Sequence, residues 1–304
     1  MLIATYNRPS ELRSVLEAVR NSTHKVSAVV IVDASEPMIA KLVETMCLDF
    51  ADLSVRYIRS ERGSLCHQRN LGKKHLAQLD IDYVQVLDDD TRPAPDYIGI
   101  LAMELDGNEK VVGVSGITHQ NSQPPRGSIV RKTVFWLIGL ESFTPGSVSR
   151  AGCGIAPATT SIQNTKWLFG CSMWRSSFHK TQDYLDQLPG SSLFEDTEYS
   201  LRASSSGTLR VVPSAVLHHS LSPIERPPLV LYSYRFSRNR WFVIQAMKGL
   251  DKYIWYFISV LSLAAWHLCR SLFARASNSR DELRRAGFAT IRGAVDALRK
   301  VDPI

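Results

Sequence analysis

The 304-residue chain has no Cys-x-x-Cys pair, and its five cysteines, Cys47, Cys66, Cys153, Cys171 and Cys269, are odd in number and widely spaced. That pattern argues against a disulfide framework or a structural zinc site and predicts a reducing, cytoplasmic setting. Glycine, 17 residues in all, is missing where a phosphate-cradling loop would need it: Thr5-Tyr6-Asn7-Arg8-Pro9, directly after the first apolar residues, holds none. A nucleotidyltransferase built on a Gly-rich loop is therefore disfavoured. Lys and Arg give a formal net charge of +7, but they form no stripe and no nucleic-acid-binding motif, so no nucleic-acid partner is expected. No secretory signal is expected either, since Met1 leads through Leu2-Ile3-Ala4 into a turn.

What the chain does have, up to about residue 116, is an alternation of short apolar runs with helical spacing. Leu12, Val15, Leu16 and Val19 recur at helical intervals behind the turn Asn7-Arg8-Pro9-Ser10, and residues 28–32 read as a buried strand ending at Asp33. The unit repeats through residues 39–48, 53–58, 71–79 and 83–87. Such alternation predicts an α/β domain with a mostly parallel sheet flanked by helices. Ligands of these sheets bind beyond the carboxyl ends of the strands, so Thr5 to Arg8, Asp33 and Asp88 to Asp90 should line one rim.

The run Tyr83-Val84-Gln85-Val86-Leu87 ends in Asp88-Asp89-Asp90. Three uncompensated carboxylates repel one another and favour a cation. If the strand continues through them, Asp88 and Asp90 point to the same side, which suits Mg2+ or Mn2+ that also holds a phosphate. The alternative is a solvated acidic turn closed by Thr91 and Pro93. A phosphatase with a strand-end Asp nucleophile would want Thr or Val where Arg92 stands.

Residues 117–166 are richer in Gly, Pro, Ser and Gln, with a turn at 123–127, and read as an irregular insertion or lid. The helix start at Phe194-Glu195-Asp196-Thr197-Glu198 and a strand from Leu209 to His218-His219 follow. Residues 253–269 form a 17-residue apolar-dominated run, at the lower edge of a spanning length. Arg238, Arg240, Lys248 and Lys252 precede it, and Arg270, Arg275, Arg280, Arg284 and Arg285 follow it. Basic flanks on both sides suit a segment lying on an anionic membrane; a helix packed on the core or in a dimer interface is the alternative.

The ordered set Thr5-Tyr6-Asn7-Arg8-Pro9, Val32-Asp33-Ala34-Ser35, Gln68-Arg69-Asn70-Leu71-Gly72, Leu87-Asp88-Asp89-Asp90, Phe169-Gly170-Cys171-Ser172-Met173, the stretch from Phe194 to Arg202, and His218 resembles the family 2 glycosyltransferases over roughly residues 2–240. The resemblance implies a GT-A fold: residues 1–116 as the nucleotide-sugar-binding half, 117–228 as the acceptor-binding and catalytic half, and 229–304 as a helical, membrane-associating tail. It implies inverting transfer of a hexosyl or deoxyhexosyl group from a nucleotide-sugar to a saccharide or lipid-linked acceptor. The setting would be the inner face of the cell membrane, in assembly of a cell-envelope polysaccharide or glycolipid. A non-catalytic, membrane-associated sugar-binding protein is the rival of a different class.

Carried over by position, Thr5 and Asp33 would hold the base and ribose, Tyr6 and Arg8 would share that rim, and Arg69 would face the nucleotide or diphosphate. Asp88 and Asp89 would touch the donor, and Asp88 with Asp90 would be the motif for Mn2+ or Mg2+. His218 would be a ligand to the metal or phosphate, with His219 the close alternative because a one-residue shift reverses which side chain faces the site. Asp196 would be the base on the acceptor hydroxyl, and Glu195 would orient the acceptor or substitute as base. The same acids also suit the first turn of a helix. Trp167, Gly170 and Trp174, with Phe169, would meet the acceptor, although aromatic residues at this density also suit a core. Tyr234, Arg235, Arg238, Asn239 and Arg240 resemble a stretch that steers diphosphates or lipid headgroups; a solvated basic helix face is the default.

Overall fold

The computed structural model describes residues 1–120, 129–219, 227–274 and 276–300. The turn expected at 123–127 and Arg275 lie outside the described residues.

Strand β1 (Leu2–Thr5) is buried along its whole length. Helix α1 (Pro9–Arg20) opens on a proline, whose fixed φ suits the first helical position, and buries Leu12, Val15, Leu16 and Val19. The pattern continues through β2 (Val29–Asp33), α2 (Pro37–Cys47), β3 (Val55–Arg59), α3 (Leu65–Leu76) and β4 (Tyr83–Asp88). Helix α3 begins six residues before the expected Leu71. Its buried face carries Gln68, Arg69 and Lys73, so an apolar period understates it. Next come β5 (Thr91–Pro93), α4 (Tyr97–Asp106), β6 (Val111–Gln120), α5 (Ile129–Leu137), β7 (Gln163–Thr165), β8 (Met173–Arg175), α6 (Ser176–His179), α7 (Glu195–Ala203) and β9 (Thr208–His219). The chain closes with α8 (Leu229–Ala246), α9 (Asp251–Phe273) and α10 (Ser277–Leu298).

The sheet order is β3-β2-β1-β4-β8-β6-β9-β5, with β7 pairing β9. From β3 to β4 all pairs are parallel, whereas the other half mixes directions. Parallel register sets Thr5 opposite Asp33 and Ala4 opposite Asp88. The carboxyl ends of three strands therefore share one rim. Antiparallel pairing of β5 with β9, Thr91 opposite His219 and Arg92 opposite His218, returns the end of β9 to the turn that carries the aspartates.

Two compact units emerge, one of residues 1–124 and 157–222, the other of 125–156 and 223–304. They cut the chain differently from the boundary expected at 116, because β6 runs through it and residues 157–222 supply strands to the first sheet. The segment 117–166 is also more regular than expected: β6, α5 and β7 all fall partly or wholly inside it.

In the second unit, Ile244, Tyr256, Val260 and Ala294 form a core of α8, α9 and α10. Gly293 lets α10 cross α8 closely, since a Cβ there would stand 2.3 Å from the Tyr234 carbonyl oxygen. Arg238, Asn239 and Arg240, expected on a solvated face, are buried at 3, 0 and 0% exposure. Arg240 lies over the Phe236 and Tyr256 rings and donates to Ser259 Oγ at 2.8 Å. Lys252 is also buried, its ammonium on the Met247 carbonyl, so of the basic residues expected ahead of the apolar run only Lys248 is exposed.

Candidate active site

The buried helix α3 assembles the site. Gln68 Nε2 donates to the carbonyls of Thr5 and Val32, both at 2.8 Å, which ties the ends of β1 and β2 where sheet pairing stops. Asn70 exchanges two hydrogen bonds of 2.8 Å with the backbone of Tyr184, and Lys73 holds the Gln182 carbonyl and Asp183. Leu65 N donates to the Gly190 carbonyl at 2.9 Å. One face of α3 thus fixes the strand rim, and another fixes the loop that delivers α7.

Arg69, 1% exposed, joins the two. Its Nη1 donates to Glu195 Oε1 at 2.5 Å and its Nη2 to Asp88 Oδ1 at 2.9 Å, with the Tyr184 ring 5.4 Å away. Burial opposes its charge, but Glu195 and Asp88 outweigh that and hold its pKa well above the ordinary value. Burial pushes the Glu195 carboxyl up to about 8 against the pull of Arg69. Glu195 Oε2 is buried, with no hydrogen-bond partner among the described residues. Gly170 fills the remaining corner: a Cβ there would stand 3.1 Å from Arg69 Nη2 and 3.2 Å from Glu195 Oε1.

The turn into α7 is strained, because Ser192 and Phe194 take φ of 51° and 73°, values that cost energy for side-chain-bearing residues. The result sets Glu195 and Asp196 in the first helical turn. Asp196, only partly covered, accepts at Oδ1 from Thr197 N at 2.6 Å and Thr197 Oγ1 at 3.2 Å. Burial still raises its carboxyl to about 6. An acid near that value is ionised at neutral pH yet basic enough to accept a proton.

On the strand side β4 stops at Asp88. Asp89 and Asp90 lie in the turn, so alternation along a strand does not align Asp88 with Asp90 as expected. Arg8 Nη1 bridges Asp89 Oδ1 at 3.0 Å and Asp90 Oδ2 at 3.2 Å. Asp89 also accepts from Thr5 Oγ1 at 2.8 Å, and burial raises its carboxyl to about 7. His219 Nε2 lies 3.2 Å from Asp90 Oδ1, and that hydrogen bond raises the His219 pKa. His218 is exposed and pairs in register with Arg92, while His219 contacts Asp90.

Two further expectations change with burial. Asp33 is fully buried, with Oδ1 accepting from Ser35 N at 2.7 Å and Oδ2 from Tyr57 Oη at 2.9 Å. Its carboxylate is committed to an Asx-type turn, and with Thr5 it shapes the rim from beneath; Tyr6 and Arg8 form the outer edge. Trp174 is a core residue: its ring packs edge-on against Tyr199 at 5.0 Å and over Gly113, where a Cβ would stand 2.5 Å from it. Trp167 is buried beside the Phe169 ring at 4.9 Å. Gln68, Tyr184 and Cys171, whose thiol lies 3.4 Å from Asp88 Oδ2, belong to the site without having been singled out. Gln68 adjoins Arg69 in a quoted motif, whereas Tyr184 carries no sequence signal.

Five carboxylates, Asp88, Asp89, Asp90, Glu195 and Asp196, thus gather around Arg8 and Arg69. Among the described residues no group of three His, Cys, Asp or Glu side chains stands ready to hold a metal ion. The donor set nevertheless fits a hard divalent cation, which ordinarily takes one or two carboxylates and completes its shell with water and substrate phosphates.

Residues 1–154 match the family model described as glycosyl transferase family 2. No curated protein matches the sequence. Among solved structures, S. aureus TarS 1-349 is 13% identical, with a TM-score of 0.56 over 99% of this chain and 89% of that one. Mannosyltransferase PcManGT from Pyrobaculum calidifontis, in complex with GDP-Man and Mn2+, is 14% identical, with a TM-score of 0.57 over 98% of this chain and 86% of that one. GalNAc-T7 with UDP, GalNAc and Mn2+ is 13% identical, with a TM-score of 0.63 over 99% of this chain and 57% of that one. The fold they share with this chain is GT-A.

Proposed function

The chain belongs to glycosyl transferase family 2, and on that premise we propose that it transfers a hexosyl or deoxyhexosyl group from a nucleotide-sugar to a saccharide or lipid-linked acceptor, with inversion. The setting is the cytoplasmic face of a membrane, in assembly of a cell-envelope polysaccharide or glycolipid. The observation that carries the reading is Arg69, which draws the strand-end Asp88 and the helix-start Glu195 into one pocket.

In this reading Tyr6 and Arg8 meet the nucleotide, held from beneath by Thr5, Asp33 and Asp89. Asp88 and Asp90, with His219 beside them, would hold Mn2+ or Mg2+, which supplies Lewis-acid stabilisation of the departing diphosphate. Arg69 keeps a fixed positive charge against the same region, and a charge placed before reaction needs no reorganisation when the leaving group separates. Asp196 takes the proton from the acceptor hydroxyl, on the face opposite the leaving group. Glu195, locked to Arg69, positions that base, and its unpartnered Oε2 suits a hydrogen bond from the acceptor. Gly170 and Trp167 border the acceptor position.

The test is release of nucleoside diphosphate from a panel of nucleotide-sugars with Mn2+, with Mg2+ and with chelator. Asp196→Asn should lose turnover while keeping the thermal stabilisation that donor binding produces. Turnover equal to wild type in folded Asp196→Asn would refute the mechanism, and no donor response in the wild-type protein would refute the activity.

A further inference from the structure

The carboxy-terminal unit exposes an apolar stripe that its own packing leaves uncovered. On α9, Ile254, Ile258, Leu261 and Leu272 follow one another at steps of four, three and eleven residues, which keeps them on one helical face, 63, 37, 62 and 68% exposed. No charged residue interrupts residues 253–269. The helix is long and apolar enough to cross a bilayer by length and composition. Its opposite face, however, is bound inward. Tyr256 Oη donates to the Ser237 carbonyl at 3.0 Å, Ser259 Oγ receives Arg240 at 2.8 Å, and Gly287 of α10 lies where a Cβ would be 3.2 Å from the Ala264 carbonyl oxygen. Crossing would require α9 to give up these contacts and strand Arg240, or to carry the arginines of α10 into hydrocarbon; both are costly.

Helix α5 of the same unit buries none of its residues and exposes Ile129, Val130, Val134 and Leu137. Arg150 joins it to α9: its guanidinium lies 4.9 Å from the Trp136 ring and 3.7 Å from the Trp255 ring, and its Nη2 donates to the Trp136 carbonyl at 2.5 Å. Gly139, at φ +79°, brings the backbone after α5 onto Trp255, with a Cβ position 3.2 Å from that ring. The two apolar faces therefore share an edge marked by indoles, the side chains that favour a membrane–water boundary. The surrounding charge is complementary to anionic lipid. Arg131 and Lys132 are exposed on α5, which carries no acid, and α10 exposes Arg280, Arg284, Arg285 and Arg292, with Arg299 exposed just past its end, against the exposed Asp281 and Glu282 and the half-buried Asp296 that pairs with Arg292.

We propose that this face of α5 and α9 docks on an anionic phospholipid surface with α9 parallel to the bilayer plane, its stripe at the headgroup–acyl boundary and the arginines of α10 on the headgroups. The inference deepens the membrane placement proposed above and is independent of the transfer chemistry. It accounts for a membrane-length helix that keeps one face inside a polar helical unit.

The test uses the full chain with vesicles of phosphatidylcholine alone or mixed with phosphatidylglycerol. Cosedimentation with the anionic vesicles only is expected, weakened by salt and by alkaline carbonate. Binding should fall at least roughly tenfold in Ile258→Glu/Leu261→Glu and by a similar factor in Arg284→Glu/Arg285→Glu, given about 1 kcal/mol per basic residue at such surfaces. Unchanged melting temperatures establish that both variants are folded. Tryptophan quenching by brominated lipids should be strongest for shallow bromines, since Trp266 is 59% exposed on α9. Four results would overturn the proposal: no binding to either vesicle, unchanged binding by the Glu variant, resistance to carbonate extraction, or a solution dimer that Leu261→Glu dissociates without any vesicle binding. Thermal response to nucleotide-sugars, measured on the same samples, separates the readings: an intact response without vesicle binding removes the docking face alone, and the reverse removes the transferase reading alone.

Discussion

At the scale of single residues the site turns on which carboxylate is free to act. Glu195 and Asp196 are adjacent, yet Arg69 engages Glu195 directly while Asp196, among the described residues, hydrogen-bonds its neighbour Thr197. Asp196→Asn should lower kcat by about 10²–10⁴-fold, the usual worth of a general base. In the proposed mechanism the active form of Asp196 is the carboxylate, and its pKa is raised to about 6, so the rate should gain nothing more from Asp196 above about pH 7. It should fall with decreasing pH through 6, approaching tenfold per unit; a profile level down to pH 4.5 would assign the base elsewhere. At the aspartate turn, His219→Ala should raise the donor concentration needed for half-maximal rate at least roughly tenfold, as loss of a partner to a metal ligand does. His218→Ala should leave it near wild type. A titration of both variants with donor at fixed Mn2+ decides between the two histidines. Sequence alone left this pair and the acidic pair open because neighbouring residues differ by orientation, and orientation comes from the β5–β9 register and the strained entry to α7.

Helix α3 shows what one element does for several others. Gln68 satisfies two buried carbonyls, Arg69 two carboxylates, and Asn70 and Lys73 the loop before α7. Replacing Gln68 by Leu should destabilise the protein by about 2–3 kcal/mol, since two buried acceptors lose their donor. Gly72→Ala should cost about 1–3 kcal/mol by overpacking, because its Cβ would fall 2.2 Å from Leu2 Cδ1 and 3.0 Å from Val32 Cγ2. Urea unfolding of each variant checks both values, and an unchanged midpoint would remove α3 from this central position. The helix was half visible in sequence. Its second half fits an apolar period, whereas its first half is buried through polar side chains whose partners lie on other elements, from Thr5 and Val32 on the strand rim to Tyr184 and Glu195, the last two more than a hundred positions away.

For the whole molecule the prediction is linkage: a nucleotide-sugar with Mn2+ at a hundred times its Kd should add about 2.7 kcal/mol of stability, and chelator should remove most of it. Differential scanning calorimetry checks this, and a shift unaffected by chelator would take the metal out of the site. The order of strands and helices through β4, the shared rim of strand ends and the acidic helix start were determined by the chain itself, because apolar period, proline at helix starts and strand-end polarity are local signals. Only the tertiary structure decided that Trp174, Arg238 and Arg240 are interior, that Asp33 is turned inward, and that residues 125–156 join the carboxy-terminal helices. Burial depends on which distant surface arrives to cover a side chain, and no local pattern encodes that arrival.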